Sequence, residues 1–450
     1  MRKGKRWLAA AVSAAMIVQS LASVGPVYAA DDGVSIADTF TDSSFRSYVS
    51  SNFDTDSNGY LSDAEISNVT SIDVSKCSPA ISSLNGVELF TNLSKLDCNE
   101  QSIRNLDIEN LENLEYIDVS SNRIDSLTLP VSAEKLTYLD ISGNKITSLT
   151  SLADYNNLVL LNANSTNLSS IDVSNMKGLK VLGVSGTTIS TLDLGSNMEL
   201  TTLYCDSMRS LPVLDVSGHE KLKNLYCAGA KSDSGVVVRS SITKLDVSGD
   251  IVLGSLDCSN SYVAELNIDN TPALTTLDCS NTRLTSIDVS KNTSLSYLDV
   301  SSNVLGAVDF TANTALRELY VKDTGINKLD VSTLTNLVNL DASSNSLAEL
   351  DIASNSLLEK LYISDNNIQG IKLDGHPDLK ELEIDNNNLV AIDISVCPKL
   401  YGDDGVFSCS GNSRDITLDT TNYDYDFSDF SKVYGLHKAW YDYELPVAVD

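Results

Sequence analysis

The sequence predicts a solenoid, a chain wound into coils of similar length that stack on one another. Residues 93–400 repeat with a period of 21 or 22 residues: LTTLDCSNTRLTSIDVSKNTS begins at Leu274 and LSYLDVSSNVLGAVDFTANTA at Leu295. Self-similarity at a near-fixed period of this length is typical of repeat architectures. The superposed units give LxxLxCxxNxLxxLDVSxNxx, and they open at Leu93, Leu114, Leu136, Leu158, Leu179, Leu200, Leu222, Leu253, Leu274, Leu295, Leu316, Leu337, Leu358 and Leu379.

Within each unit the pattern predicts two extended pieces, LxxLxC and LxxLDV, separated by turns. We expect the apolar slots (first, fourth, sixth, eleventh, fourteenth and sixteenth) to point inward and to stack on the neighbouring coils. An asparagine that often follows the first piece should bond turn backbone from inside, because unpaired polar groups are costly there. These asparagines are Asn122, Asn144, Asn303, Asn345, Asn366 and Asn387.

This pattern resembles the leucine-rich repeats of bacterial surface proteins, including internalins. It is most similar to the nested class called IRREKO, in which half-units of ten and eleven residues alternate. The resemblance covers residues 93–400 closely and 66–92 loosely. It implies a curved β-solenoid with a parallel sheet and little regular helix. Because members of the family bind unrelated partners, it implies a binding surface without naming the partner.

The N-terminus predicts secretion. Arg2, Lys3, Lys5 and Arg6 precede an apolar run that ends in the small-residue pattern Val27-Tyr28-Ala29, as in a secretory signal peptide over residues 1–30. A permanent membrane anchor is the alternative, disfavoured by polar residues and a proline that interrupt the run. Removing residues 1–30 moves the net charge from -30 to -34. Such acidity argues against nucleic acids and anionic membranes as partners.

The cysteines predict buried thiols rather than a disulfide framework. Sibling units place valine or isoleucine in the sixth slot, so cysteine there is a small buried hydrophobe. Cys397 and Cys409 flank the end of the repeats, where a disulfide remains an open alternative. The cysteines of the sixth slot are Cys98, Cys205, Cys227, Cys258 and Cys279.

Residues 31–92 predict an N-terminal cap that shields the first coil, as a solenoid requires. Phe45, Tyr48 and Val49 have helical spacing, and Ser62 to Val69 predicts a second short helix. Between them, residues 54–65 (DTDSNGYLSDAE) fit the twelve-residue calcium loop of an EF-hand. The predicted calcium ligands are Asp54, Asp56, Asn58, the Tyr60 carbonyl, Ser62 and a bidentate Glu65.

The glycine of this loop, Gly59, permits the sharp turn that the motif needs. Two alternatives stay open: an acidic turn that caps the second helix, and half of a dockerin-like docking module. We expect calcium to tie the cap helices together over the first coil.

Two further features suggest binding surfaces. About ten extra residues between Ala230 and Ile242 form either a tolerated surface loop or a specificity loop that exposes Val236, Val237 and Val238. Exposed strand positions carry tyrosines, which are good partner anchors and also ordinary strand formers. These tyrosines are Tyr116, Tyr138, Tyr204, Tyr226, Tyr297, Tyr320 and Tyr362.

Three patterns carry less weight. Aspartates repeat at the fifteenth slot, where backbone bonding and solvent or a column of cations would satisfy them; they are Asp107, Asp172, Asp193, Asp215, Asp246, Asp288, Asp309, Asp330, Asp351 and Asp393. His219, His376 and His437 have no ligand-spaced companions, so we predict no catalysis. Residues 401–450 predict a C-terminal cap or acidic tail.

The sequence therefore predicts a secreted calcium-binding leucine-rich-repeat protein that binds a protein or glycan, as in adhesion. A structural part of an extracellular matrix or of a dockerin-like assembly is the alternative.

Overall fold

The chain forms a parallel β-solenoid whose coils each add one strand to a long sheet. The computed structural model describes residues 33–412, except 150–151, 153, 232–234 and 402–403, together with the backbone of 417–419. Parallel neighbours join sixteen described strands into the main sheet. Its strands are Ser71–Asp73, Lys95–Asp97, Tyr116–Asp118, Tyr138–Asp140, Leu160–Asn162, Val181–Gly183, Thr202–Tyr204, Asn224–Tyr226, Ser255–Asp257, Thr276–Asp278, Tyr297–Asp299, Glu318–Tyr320, Asn339–Asp341, Lys360–Tyr362, Glu381–Glu383 and Val406–Ser408.

The repeat dictates the register of this sheet. Leu277 of one coil pairs with Leu298 of the next, and both side chains are fully buried. Because side chains alternate along a strand, the residues on either side of each buried leucine point outward. The inward slots are confirmed, with one difference: the fourteenth-slot residue is only half-buried in several coils, as at Ile287.

The second extended piece of each unit forms strands in only some coils. Asn105–Asp107 pairs with Ser126–Thr128, and Ala391–Asp393 pairs with Thr417–Asp419. A third group contains Val213–Asp215, Lys244–Asp246 and Glu265–Asn267. Elsewhere among the described coils this piece lacks ladder pairing and has no regular secondary structure.

The repeated asparagines satisfy the turns from inside, as predicted. Asn122 donates from Nδ2 to the Cys98 and Val119 carbonyls at 2.8 and 3.1 Å, and its Oδ1 accepts from the Ile103 N–H at 2.9 Å. The side chain therefore links two coils. A second, unpredicted column lies in the later turn, where Asn313 donates to the Val289 and Asn292 carbonyls at 2.9 and 3.0 Å.

The cap contains the helices α1 (Ile36–Thr39), α2 (Ser43–Asn52) and α3 (Asp63–Asn68), of which the last two confirm the prediction. A two-stranded sheet pairs Val34–Ser35 with Tyr60–Leu61, and 3-10 turns span Val87–Leu89 and Pro398–Tyr401.

Aromatic rings join the cap to the first coil. Phe90, which precedes the first repeat, has its ring centroid 6.0 Å from Phe40 and 5.4 Å from Phe53. Phe40 also contacts Phe45 edge-to-face at 5.5 Å. Cap and solenoid therefore share one core, so perturbing the cap perturbs the first coil.

At the insertion, Ala230–Lys231 pairs antiparallel with Val237–Val238, and these two strands are here called the inserted hairpin. Val236 is 61% exposed, as the specificity-loop alternative requires, but Val237 and Val238 are half-buried, which corrects that alternative for these two valines. The two hairpin valines are partly covered because they lie in the paired strand.

The eight cysteines are free thiols. Four of them occupy the sixth slot of consecutive coils and are fully buried: Cys205, Cys227, Cys258 and Cys279. Cys397 and Cys409 are also buried and unbridged, so the structure has no disulfide at this end of the described repeats. No helix of the described chain is long and apolar enough to cross a membrane. The predicted signal peptide and most of residues 401–450 lie outside the described residues.

Candidate calcium loop and tyrosine face

The loop between α2 and α3 wraps its backbone around two aspartates. Asp54 Oδ1 and Asp56 Oδ1 both accept the Asn58 N–H at 3.1 Å, and Asp54 Oδ2 accepts the Gly59 N–H at 3.0 Å. Gly59 adopts a φ of +85°, a left-handed conformation that favours glycine. The loop is therefore folded around its acidic side chains, with Asp54 itself buried.

Glu65 closes the loop from the first turn of α3. Its Oε1 accepts from the Thr55 N–H and hydroxyl at 2.7 and 2.6 Å, and its Oε2 accepts from the Ser62 N–H and hydroxyl, both at 2.9 Å. Burial opposes the charge, but these hydrogen bonds lower the pKa of Glu65 to about 2. Glu65 is thus ionised at neutral pH. Thr55 was missed as a contributor because its position is not diagnostic in the motif.

These residues suit calcium by their donor chemistry. One carboxylate oxygen from each of Asp54, Asp56 and Glu65 lies within 4.8 Å of the others. Hard oxygen donors from positions 1, 3 and 12 of a loop with glycine at position 6 are what the ion requires. Asn58 and Ser62 each contact one of these carboxylates. Asn58 Nδ2 donates to Asp56 Oδ2 at 2.9 Å, and the Ser62 hydroxyl donates to Glu65 Oε2. Asn58 Oδ1 accepts from the Tyr60 N–H at 2.7 Å.

The loop is coupled to the solenoid through the cap. The Gly59 carbonyl accepts the Ile36 N–H at 3.1 Å, and Leu61 is fully buried in the shared core. Asp42, the N-cap of α2, accepts from the Ser82 N–H and hydroxyl at 2.9 and 2.7 Å. An ion that holds the loop would therefore also hold the cover of the first coil.

The seven predicted tyrosines all lie half-buried on the outward side of the main sheet, here called the tyrosine face. Tyr116 and Tyr138 stack at 4.2 Å with an interplanar angle of 9°, and Tyr204 and Tyr226 stack at 5.1 Å and 12°. The face thus presents preformed aromatic pairs rather than isolated rings.

Farther along the sheet the rings join carboxylates. Tyr297 and Tyr320 meet at 5.5 Å with a tilt of 45°, and the Tyr320 hydroxyl donates to Glu318 at 2.8 Å. The Tyr362 hydroxyl donates to Glu381. Aromatic side chains fixed in this way lose little conformational freedom when a partner binds.

The tyrosine face also carries aspartates that the sequence analysis did not predict. The signal in the sequence was the fifth slot of the repeat, which often holds aspartate. These aspartates form two runs on adjacent strands: Asp97, Asp118 and Asp140, and Asp257, Asp278 and Asp299. In register, such carboxylates sit one strand spacing, about 4.8 Å, apart. Burial, together with Asp257 and Asp299, raises the pKa of Asp278 to about 6. The face is therefore strongly acidic.

The fifteenth-slot aspartates accept backbone hydrogen bonds within their own turns, which confirms the predicted backbone bonding. Each accepts from the N–H two residues later, as Asp288 does from Ser290 at 2.9 Å. His219 and His376 are buried turn residues whose ring nitrogens contact backbone carbonyls at 2.7 to 3.2 Å. Neither histidine faces a metal-binding group of the described chain.

Comparison with known proteins matches the repeats to one family. Family models described as "Leucine Rich repeats (2 copies)" and "Leucine Rich repeat" match residues 112–154 and 291–309. The functional domain of InlJ from Listeria monocytogenes, which includes a cysteine ladder, has a TM-score of 0.72 at 30% identity, over 84% of this chain and 81% of that one. A search of curated proteins gave no match.

Two less similar structures share the fold. The internalin InlF of Listeria monocytogenes has a TM-score of 0.54 at 22% identity, over 78% of this chain and 97% of that one. A leucine-rich repeat protein of Leptospira interrogans has a TM-score of 0.53 at 20% identity, over 73% and 92%.

Proposed function

The chain belongs to the leucine-rich repeat proteins and is internalin-like, and on this premise we propose that it is a secreted calcium-binding protein that binds a protein or glycan through its tyrosine face. The observation that carries this proposal is the alignment of half-buried tyrosines on one continuous sheet. Rigid aromatic side chains at the centre of a surface supply much of the binding energy in known interfaces.

The calcium part rests on the loop around Asp54. Its oxygen donors, its glycine turn and the charged state of Glu65 all favour a divalent cation. Among the described residues no second carboxylate loop pairs with it, which favours modest affinity, with a Kd of ~10⁻⁴–10⁻³ M, adequate outside cells. In this proposal calcium is structural: it fastens the cap over the first coil.

Secretion rests on the sequence alone. The basic start, the apolar run and the small-residue pattern before residue 31 support export, and the acidic composition suits a calcium-containing medium. Buried free thiols are compatible with this location, because burial raises the pKa of Cys258 and withholds it from oxidants.

Saturable binding to cell surfaces tests the proposal. Fluorescently labelled protein would be titrated onto cultured host and bacterial cells in calcium buffer. We expect Tyr138→Ala and Tyr204→Ala to weaken binding about tenfold or more, since each removes half of a stacked pair. Val304→Ala is the matched control, because Val304 is 76% exposed but lies in a turn outside the sheet.

Two outcomes count against the proposal. If the tyrosine variants bind as well as wild type, the partner contacts another surface. If the protein only self-associates, whether or not the tyrosines are present, the structural-matrix role is favoured instead.

A further inference from the structure

The inserted hairpin ends in an arginine that is fixed over the two following coils. Arg239 donates from Nη1 to the Ser261 carbonyl at 2.9 Å and, through Nη1 and Nη2, to the carbonyl and the side-chain Oδ1 of Asn281. At the base of the hairpin, a Cβ on Gly229 would lie 2.6 Å from the Val238 carbonyl oxygen. Hairpin and coils are therefore closely fitted, and the position of Arg239 is set by backbone acceptors.

Beside Arg239, two guanidinium groups lie over one tyrosine ring. The Arg239 Cζ lies 5.6 Å from the centroid of Tyr262, and the Arg283 Cζ lies 4.2 Å from it. We call these three residues the arginine–tyrosine stack. Tyr262 is half-buried and Arg283 is exposed. Cation–π contacts of this kind orient a guanidinium without consuming its hydrogen-bond donors.

No carboxylate of the described chain forms an ion pair with the arginines of this stack. Within the described chain, lysine makes every ion pair, and no carboxylate lies within 4.0 Å of an arginine guanidinium. Arg239 contacts only neutral oxygens, and the described residues offer Arg283 no side-chain hydrogen bond. The chain has a net charge of -30, so two neighbouring arginines without ion pairs in the described chain are unusual in it. Salt screens charges beyond about 10 Å, so an approaching anion meets the local charge first.

We propose that the arginine–tyrosine stack forms a second docking surface, which binds an acidic segment of a protein partner. The planar donors of Arg283 match a carboxylate bidentately. Arginine and tyrosine are enriched among the residues that dominate protein interfaces.

A protein segment fits this surface better than a glycan does. Sugar rings commonly stack on the open face of an aromatic side chain, whereas two guanidinium groups already lie over the Tyr262 ring, at 4.2 and 5.6 Å from its centroid. The surface lies in the turns after the strands, apart from the tyrosine face, so it represents an interaction beyond the proposed function.

Binding of labelled poly-L-glutamate to the full chain, followed by fluorescence anisotropy at low and high salt, tests this inference. We expect salt-sensitive binding that Arg283→Ala weakens at least about tenfold. Arg283→Lys should also weaken it, because lysine keeps the charge and loses the fork. The Arg283 side chain makes no hydrogen bond within the described chain and contributes only a cation–π contact, so both variants should melt within a few degrees of the wild-type temperature.

Arg123→Ala is the matched control. Arg123 is exposed and occupies the same slot of another coil, and it does not stack on a tyrosine. An equal loss in this variant would show a general charge effect and overturn the proposal. So would no binding of poly-L-glutamate at low salt. Binding of heparin without binding of poly-L-glutamate would assign the surface to anionic glycans and would likewise refute it.

Discussion

Replacing Asp278 by asparagine should stabilise the protein at neutral pH. Asp278 lies between Asp257 and Asp299 on adjacent strands of the tyrosine face. Burial and these two neighbours raise its pKa from 3.8 to about 6. A shift of this size corresponds to at most about 3 kcal/mol against the charged form, at 1.36 kcal/mol per pKa unit. Because solvent still reaches the carboxylate, we expect a gain of about 1–2 kcal/mol.

The gain should depend on pH in a defined direction. Above pH 6 the carboxylate is charged in both the folded and the unfolded chain, so the full destabilisation is present. As the pH falls from about 6 toward 3.8, the folded chain takes up a proton first and wild-type stability recovers. The variant has no such group, so the two proteins should converge near pH 3.5, about where the wild-type group is neutral.

Urea unfolding at pH 7.5 and at pH 3.5 measures this difference. Asparagine keeps the Oδ1 that accepts the Ser280 N–H at 3.0 Å, so the turn itself should survive the change. Asp288→Asn is the control, because that carboxylate is exposed and its pKa is lowered by its hydrogen bonds to Ser290. A destabilised Asp278→Asn, or a gain that persists at pH 3.5, would refute the explanation by clustered carboxylates.

Three further results are expected. Asn122→Ala should lower the free energy of unfolding by about 3 kcal/mol, because it leaves a buried N–H and a buried carbonyl without a hydrogen-bond partner. Asn313→Ala should lower it by less, since the Asn313 Oδ1 has no partner to lose. Equal losses of the two variants in urea unfolding would contradict this. Thiol labelling of the native protein should modify Cys77 first, as Cys77 is half-buried while the other seven cysteines are buried. If mass spectrometry finds a sixth-slot cysteine labelled first, the inward orientation of that slot is contradicted. Without calcium, wild-type stability should fall as the pH drops from 4.5 to about 2, because Glu65 takes up its proton at a much lower pH in the folded chain than in the unfolded chain. Glu65→Gln should lack this part of the stability loss in acid unfolding.

The repeat made most of the fold predictable. Leucine, cysteine and asparagine recur in fixed slots, so one unit such as that from Leu274 predicts the core positions of the others. The half-buried fourteenth slot, at Ile287 for example, escaped prediction because hydrophobicity reports a preference for burial and not the distance to the next coil. Likewise, Val237 and Val238 are apolar in a surface insertion, and only strand pairing decides that they are partly covered.

The candidate site was predictable to the extent that it is local in sequence. The loop around Asp54 has all its proposed calcium ligands within twelve residues, so a motif describes it. The arginine–tyrosine stack joins Arg239, Tyr262 and Arg283 from three coils, and no spacing in the chain indicates that they meet. The aspartates of the tyrosine face are visible in the repeat, but only the strand register shows that they lie side by side on adjacent strands.

Calcium titration by calorimetry, with thermal melting in parallel, tests the central claim that calcium fastens the cap. Wild type would be compared with Glu65→Gln, which alters a ligand, and with Asp63→Asn, which removes an equal charge from an exposed, non-ligand position of the same loop. We predict that wild type and Asp63→Asn bind about one ion, and that calcium at 100 times the Kd stabilises them by about 2.7 kcal/mol. Glu65→Gln should lose both effects. Absence of binding by wild type, or equal behaviour of the two variants, would contradict a calcium-fastened cap.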